Sequence, residues 1–229
     1  MPLTVHHLQV SQSERIVWLC EELGIEYTLK LHKRDPILSP KSIRDLNKLG
    51  QAPVIQDGNL TMAESAACVE YIIHKYGNGR LALPPTHENY ADYLYWFHWS
   101  NGGLQPRISQ QMGLKNSGVS PDNAYAARTN QILDRFLGFL DERLQLNKWL
   151  AGDEFTAADC MVVFSLTTMR TFFPYDLSNY SNILAYLKRV SERDGYKRSR
   201  SKGDPDLPLM IDGPAPRQFV DILREEGKL

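Results

Sequence analysis

Between Leu49 and Ile73 the spacing of apolar residues changes twice. Val54 and Ile55 begin a short buried strand, Asp57-Gly58 marks a hairpin turn, and Leu60-Thr61 return as a second strand. Val69, Ile72, Ile73 and Tyr76 then recur at helical spacing behind Ser65, which predicts a helix. Upstream, Leu3 to Leu8 reads as a strand. A helix follows from Ser11 to Glu14 onward, with Ile16, Val17, Leu19, Cys20 and Leu23 on its apolar face and Gly24 at its end. Tyr27 to Leu31 is a further strand, Lys33 to Pro40 a polar loop, and Ser42 to Leu46 a short helix.

A strand, a helix and a strand in succession imply a parallel pair joined by a right-handed crossover. With the hairpin and its helix, the order β-α-β-α-β-β-α predicts a thioredoxin-like α/β domain over residues 1–80. A linker over 81–90 contains Pro84-Pro85. Residues 91–229 show no strand pattern and predict an all-helical second domain. Tyr93, Tyr95, Trp96, Phe97 and Trp99 crowd its first helix, where a core or interface face is the plain reading, and Gly102-Gly103 is expected to interrupt that helix ahead of Pro106. A long amphipathic helix is expected over Tyr125 to Leu144, and further helices over Ile183 to Val190 and Phe219 to Arg224. Thr156 and Asp159 have the spacing of a capping box, so Asp159 is assigned to folding rather than chemistry. Gly195 to Pro216, with Lys197, Arg198, Arg200 and Lys202, reads as a solvated surface run. A structureless stretch of that length would be unusual, so the segment is expected to pack over the helical domain or near the site.

The formal net charge of −1 over 229 residues gives no electrostatic case for nucleic acid or an anionic membrane. No apolar run approaches the roughly 18 residues of a membrane span, and the N-terminus lacks a signal-peptide pattern. Cys20, Cys68 and Cys160 are odd in number and far apart, and each falls in an expected helix. They read as small buried hydrophobes in a reducing, cytoplasmic compartment, with no disulfide framework and no zinc site. His6 and His7 point to opposite faces of a strand, which excludes a shared metal site.

Candidate chemistry lies around the hairpin. Pro53 belongs at a strand end. If its peptide bond is cis, Ala52 turns an unpaired N–H and C=O outward, ready for another peptide backbone. Glu64 offers a carboxylate to an ammonium, and the Ser65 hydroxyl at a helix N-terminus suits a carboxylate. Together these describe a receptor for a small peptide carrying both charges. An ordinary hairpin followed by a capped helix reads the same residues without a ligand.

The run A-P-V-I-x-D-G-x-L-x-x-A-E-S-x-A-x-x-x-Y-I resembles the glutathione-site motif of cytosolic glutathione transferases, and Y-x-x-W-x-x-S-x-G-x-L-Q-P is similar to fungal and bacterial members. The resemblance covers most of the chain and weakens after about Arg198. It implies that Ala52 and the cis Pro53 pair with the cysteinyl backbone, that Glu64 and Ser65 hold the γ-glutamyl end, and that Gln51 contacts the peptide. It also implies a cytoplasmic, homodimeric detoxification enzyme that uses glutathione as co-substrate, needs no further cofactor and has a buried capping Asp159.

Serine-type members carry Ser four residues before Arg at the first helix, as Ser11 stands before Arg15. Ser11 or Ser13 would donate to the sulfur, or both serines merely cap the helix. The site would lie where the first strand ends, the usual ligand position in open α/β sheets. Lys33, Arg34, Lys41 and Lys48 are the candidates for the glycyl carboxylate. The electrophile site is expected between the domains, lined by Trp96 to Ile108. Conjugation, peroxidase or isomerase activity, and a non-catalytic binding role all remain open on these residues.

Overall fold

The computed structural model of the chain describes residues 2–120 and 122–229. Two compact units emerge. One comprises the chain up to Pro84 with Val190–Leu209 and Val220–Leu229; the other comprises Pro85–Arg189 with Met210–Phe219. The contiguous division expected from sequence, at 81–90, therefore differs from the packing: residues 190–209 return to the first unit.

In that unit β1 (Thr4–Leu8) pairs parallel with β2 (Thr28–His32) and antiparallel with β3 (Val54–Asp57), which turns back into β4 (Leu60–Ala63). The sheet order is β2-β1-β3-β4, the mixed thioredoxin-like arrangement. The hairpin register puts Asp57 opposite Leu60, and Gly58 supplies the φ of +58° that the turn needs. Helix α1 (Glu14–Leu23) makes the crossover. Ile16, Leu19 and Cys20 are fully buried, and Gly24 closes the helix in the left-handed region. The short α2 (Lys41–Arg44) and α3 (Ser65–Lys75) complete the predicted order.

The stretch after Asp194 is not a solvated run. Asp194–Gly203 is a helix, labelled α9 below, that packs on α1 through ion pairs. Arg193 makes two bonds to Glu22 (2.7 and 2.8 Å), Arg198 Nε donates to Glu21 (3.0 Å), Lys202 pairs with Glu21, and Arg200 Nη1 lies 3.3 Å from Glu14. Tyr196 adds an aromatic contact, edge-on to Trp18 at 4.9 Å. The helix has no apolar stripe, so periodicity could not announce it. Its docking is written in three carboxylates of α1 that lie some 180 residues away. Gly195 permits the approach, since a Cβ there would sit 2.5 Å from Glu22 Cδ.

The second unit is helical: α4 (Tyr90–Trp99), α5 (Gln105–Asn116), α6 (Ala124–Leu146), α7 (Ala157–Leu166) and most of α8 (Ser181–Ser191). After α9, a last helix, α10, spans Phe219–Glu225. Gly102-Gly103 does not interrupt the chain's helical course. Ser100–Leu104 form a π-helical turn that joins α4 to α5, with Pro106 in the first turn of α5. A Cβ on Gly103 would meet Trp99 Cδ1 at 3.0 Å and Phe136 Cε1 at 3.2 Å, so glycine leaves room for the Trp99–Phe136 stack.

Helix α7 is apolar on every side and entirely buried. Its capping box is present: Asp159 accepts from Thr156 N–H (2.9 Å), and also from Leu150 N–H (3.1 Å) and the Tyr186 hydroxyl (3.0 Å). The proline-rich Met210–Pro216 is likewise held. The buried Arg170 donates to the carbonyls of Met210, Asp212, Gly213 and Pro214. No helix among the described residues is long and apolar enough to cross a membrane.

Candidate functional site

The peptide bond Ala52–Pro53 is cis, at the entry of β3. The Ala52 carbonyl is not left open: Gln12 Nε2 donates to it at 3.0 Å, which corrects the expectation that both backbone groups are unpaired. Only the Ala52 N–H lacks a protein partner among the described residues. Gln12 Oε1 in turn accepts from Arg15 Nη1 (3.1 Å), and the same nitrogen reaches Ser65 Oγ (3.1 Å). Arg15 is fully buried. One guanidinium thus ties the start of α1 to the start of α3 and, through Gln12, to Ala52.

Sequence reasoning used Arg15 only as a spacing marker and passed over Gln12. The available signal was a charged residue beside the apolar face of α1, where burial demands a partner. Glu64 stands at the N-cap of α3 with its side chain in solvent and φ at +71°, a strained conformation for a residue bearing Cβ. Gln51 is exposed, and its carbonyl accepts from Asn47 Nδ2 (3.0 Å).

The two serines at the start of α1 differ. Ser13 occupies the N-cap position with helical dihedrals and no capping bond. Its hydroxyl faces inward instead. It lies 2.7 Å from His7 Nδ1, 2.8 Å from Ser11 Oγ and 3.1 Å from the Leu8 carbonyl, and accepts from Leu8 N–H at 3.0 Å. Ser11 Oγ donates to the Leu8 carbonyl (2.7 Å) and accepts from Ser13 N–H (3.2 Å). Ser13 is fully buried and Ser11 nearly so, at 6% exposure.

Beyond His7 stands Asp204, at the C-terminal end of α9. Its Oδ2 lies 2.9 Å from His7 Nε2, and its Oδ1 accepts from Val10 N–H at 2.8 Å. Burial pushes the Asp204 carboxyl up. Its bond to His7, the Val10 N–H and the charge of Arg200 outweigh that and hold it below its ordinary value. Val10 sits at φ +56°, pinned at its N–H by Asp204 and at its carbonyl by Arg34.

Of the four basic candidates, Arg34 is committed to the carbonyls of Val10 and Ile37, and burial lowers it to about 10. Lys41 pairs with Asp45. Lys33 and Lys48 are exposed and make no ion pair among the described residues. The three cysteines are free and buried, and desolvation pushes Cys68 up to about 12. In the stretch expected to line an electrophile site, Trp96, Phe97, Leu104 and Ile108 are core residues of their own unit. An open groove on that unit is lined instead by Leu94, Tyr95, His98, Trp99 and Phe136.

Comparison with known proteins points to one family over most of the chain. A family model for the glutathione S-transferase N-terminal domain matches residues 11–75, and one for the C-terminal domain matches residues 102–194. Glutathione S-transferase 3 of Schizosaccharomyces pombe is 30% identical over 226 residues, which is 92% of each chain. Glutathione S-transferase 1 of Saccharomyces cerevisiae is 23% identical over 87% of this chain and 94% of its own. Among solved structures, a glutathione S-transferase of Actinobacillus pleuropneumoniae superposes with a TM-score of 0.80 at 26% identity, over 91% of this chain and 98% of that one.

Proposed function

We propose, from the premise that this chain belongs to the cytosolic glutathione transferase family, that it conjugates reduced glutathione to small apolar electrophiles by thiolate attack. The observation that carries the reading is the platform made by Arg15. The Ala52 N–H faces a peptide's carbonyl, Ser65 and the N-terminus of α3 take the γ-glutamyl carboxylate, and the exposed Glu64 takes its ammonium. Glycyl-carboxylate binding falls to Lys33 or Lys48, the two of the four basic candidates without an ion pair among the described residues. The thiol then lies by Ser11, at the end of β1 where α1 begins. Lowering its pKa by two units takes about 2.7 kcal/mol, within reach of a hydroxyl donor and a helix N-terminus acting together.

The same reading makes the protein a cytoplasmic homodimer with a detoxifying role. The exposed Leu94, Tyr95 and Phe139 on the helical unit support the dimer. Calorimetry should show glutathione binding, and light scattering should give twice the mass of one chain. A screen over aryl halides, epoxides and organic hydroperoxides tests conjugation: activity confined to hydroperoxides would replace conjugation with peroxide reduction. Absence of glutathione binding would overturn the reading altogether.

A further inference from the structure

Resting on the reading that Ser11 meets the bound thiol, we propose that Ser13, His7 and Asp204 form a buried proton relay behind Ser11 that takes up the thiol proton. The chain is continuous. Asp204 Oδ2, His7 Nε2, His7 Nδ1, Ser13 Oγ and Ser11 Oγ are linked by spacings of 2.9, 2.7 and 2.8 Å. His7 and Ser13 are fully buried, Asp204 is 5% exposed and Ser11 6%. Water therefore has no place in the middle of the chain.

The direction of each bond follows from the end. A carboxylate only accepts, so Asp204 fixes the Nε2–H tautomer of His7. In the neutral ring Nδ1 is then an acceptor, and Ser13 O–H donates to it. One lone pair of Ser13 Oγ is taken by Leu8 N–H, and the other is left for the hydroxyl of Ser11, which reaches it by turning from the Leu8 carbonyl that it also meets at 2.7 Å.

When the thiol arrives, its proton passes to Ser11 Oγ, the Ser11 proton passes to Ser13 Oγ, and the Ser13 proton passes to His7 Nδ1. The S–H bond breaks and an N–H bond forms, while sulfur keeps the electron pair. Each hydroxyl ends the step turned toward the sulfur, so Ser11 now donates to the thiolate. The imidazolium is stabilised by Asp204, as in the serine–histidine–aspartate arrangement, and no net charge enters the site.

His7, Ser13 and Asp204 are positioning residues here, since none of them touches the sulfur. The charged and titratable groups around His7 are Asp204 and Arg200 from the α9 segment, Glu14 from α1, His32 from β2, and Arg34 beyond Asp204. Arg200 opposes a charge on His7, at 3.9 Å from Asp204 Oδ2, but its own partner Glu14 offsets it. The plain alternative is that the chain only fastens α9 to the turn after β1, and proton bookkeeping separates the two.

The decisive measurement needs no variant. Glutathione is titrated into the wild type near neutral pH in buffers of different ionisation enthalpy, with the thiolate absorbance of the complex recorded in parallel. The relay predicts a bound thiolate with well under one proton per site released to buffer, because His7 retains it. Asp204→Asn should raise the bound-thiol pKa by about one unit, so that about tenfold less thiolate forms below it. Turnover should recover at high pH, with little change in glutathione affinity. A wild type that forms the thiolate and releases a full proton overturns the relay and leaves the site reading standing. So does a folded Asp204→Asn whose thiol titrates as in the wild type. A wild type that binds no glutathione overturns the site reading, and the relay with it.

Discussion

Two aspartates are buried among the described residues, and they behave oppositely. Asp159 is fully buried at the start of α7 and receives only uncharged donors: two backbone N–H groups, the Tyr186 hydroxyl and the Thr156 side chain. Burial dominates, and its carboxyl is pushed up to about 6. Asp204 is nearly as buried but faces an imidazole and a guanidinium, and it is held below its ordinary value. Burial pushes both carboxyls up; the partners decide the sign. A carboxylate among neutral donors serves as a cap and a rivet. One kept ionised against a histidine is equipped to direct a proton.

The largest effect expected is on Asp159. Asp159→Ala leaves the Leu150 and Thr156 N–H groups and the Tyr186 hydroxyl buried without an acceptor, a loss of about 2–4 kcal/mol read by denaturant melts. The bound-thiol pKa should not move. If turnover falls while the melt is unchanged, the assignment of Asp159 to folding is wrong.

The pH profiles of stability should also separate the two sites. With its pKa raised in the fold, Asp159 contributes fully below its unfolded value of about 3.9, and that contribution is lost as pH rises through about 6. Asp204, depressed in the fold, contributes above its unfolded value, and its share is lost as pH falls through the folded one. Asp159→Ala should therefore remove a decline on the approach to neutrality, and Asp204→Asn should remove part of the acid decline.

Next in size is Glu64→Ala, which should weaken glutathione binding by about 1.5–3 kcal/mol, as for a charge-assisted hydrogen bond, without changing the melt or the thiol titration. Gly203→Ala should act on the relay alone. A Cβ there would lie 3.0 Å from His7 Nε2, so the ring must shift. A rise in the bound-thiol pKa of about half a unit, near 0.7 kcal/mol, is expected with little loss of glutathione affinity. An unchanged titration would mean that the geometry around His7 does not govern the thiol.

The two regions were unequally legible in the sequence. The cap at Asp159 could be read because both partners, Thr156 and Asp159, lie within one turn. The hairpin, the cis Ala52–Pro53 step and the Glu64–Ser65 pair were also local, and the succession of strands and helices followed from apolar spacing. Arg15 was only partly legible, since its partners Gln12 and Ser65 lie 3 and 50 residues away. Asp204 could not be read at all: it sits 197 residues from His7, after a basic helix with no apolar period. The same blindness made Arg198 and Lys202 look like solvated surface when they face Glu21. Charge complementarity between distant segments leaves no period in either one.

The smallest effect tests what holds Asp204 in place. Arg198 reaches Glu21 at 3.0 Å, but its side chain is 52% exposed, and Glu21 keeps Lys202 and the Tyr27 hydroxyl when Arg198 is removed. Exposed ion pairs contribute about 0.2–1 kcal/mol, so Arg198→Ala should shift the melt by no more than that and leave the thiol titration alone. The interior contacts of α9, Tyr196 on Trp18 and Asp204 on Val10 and His7, should suffice to dock it. If Arg198→Ala instead raises the thiol pKa as Asp204→Asn does, α9 is held by its rim rather than by Asp204. The position of the carboxylate behind His7 would then depend on salt, which would appear as a thiol pKa that rises with ionic strength.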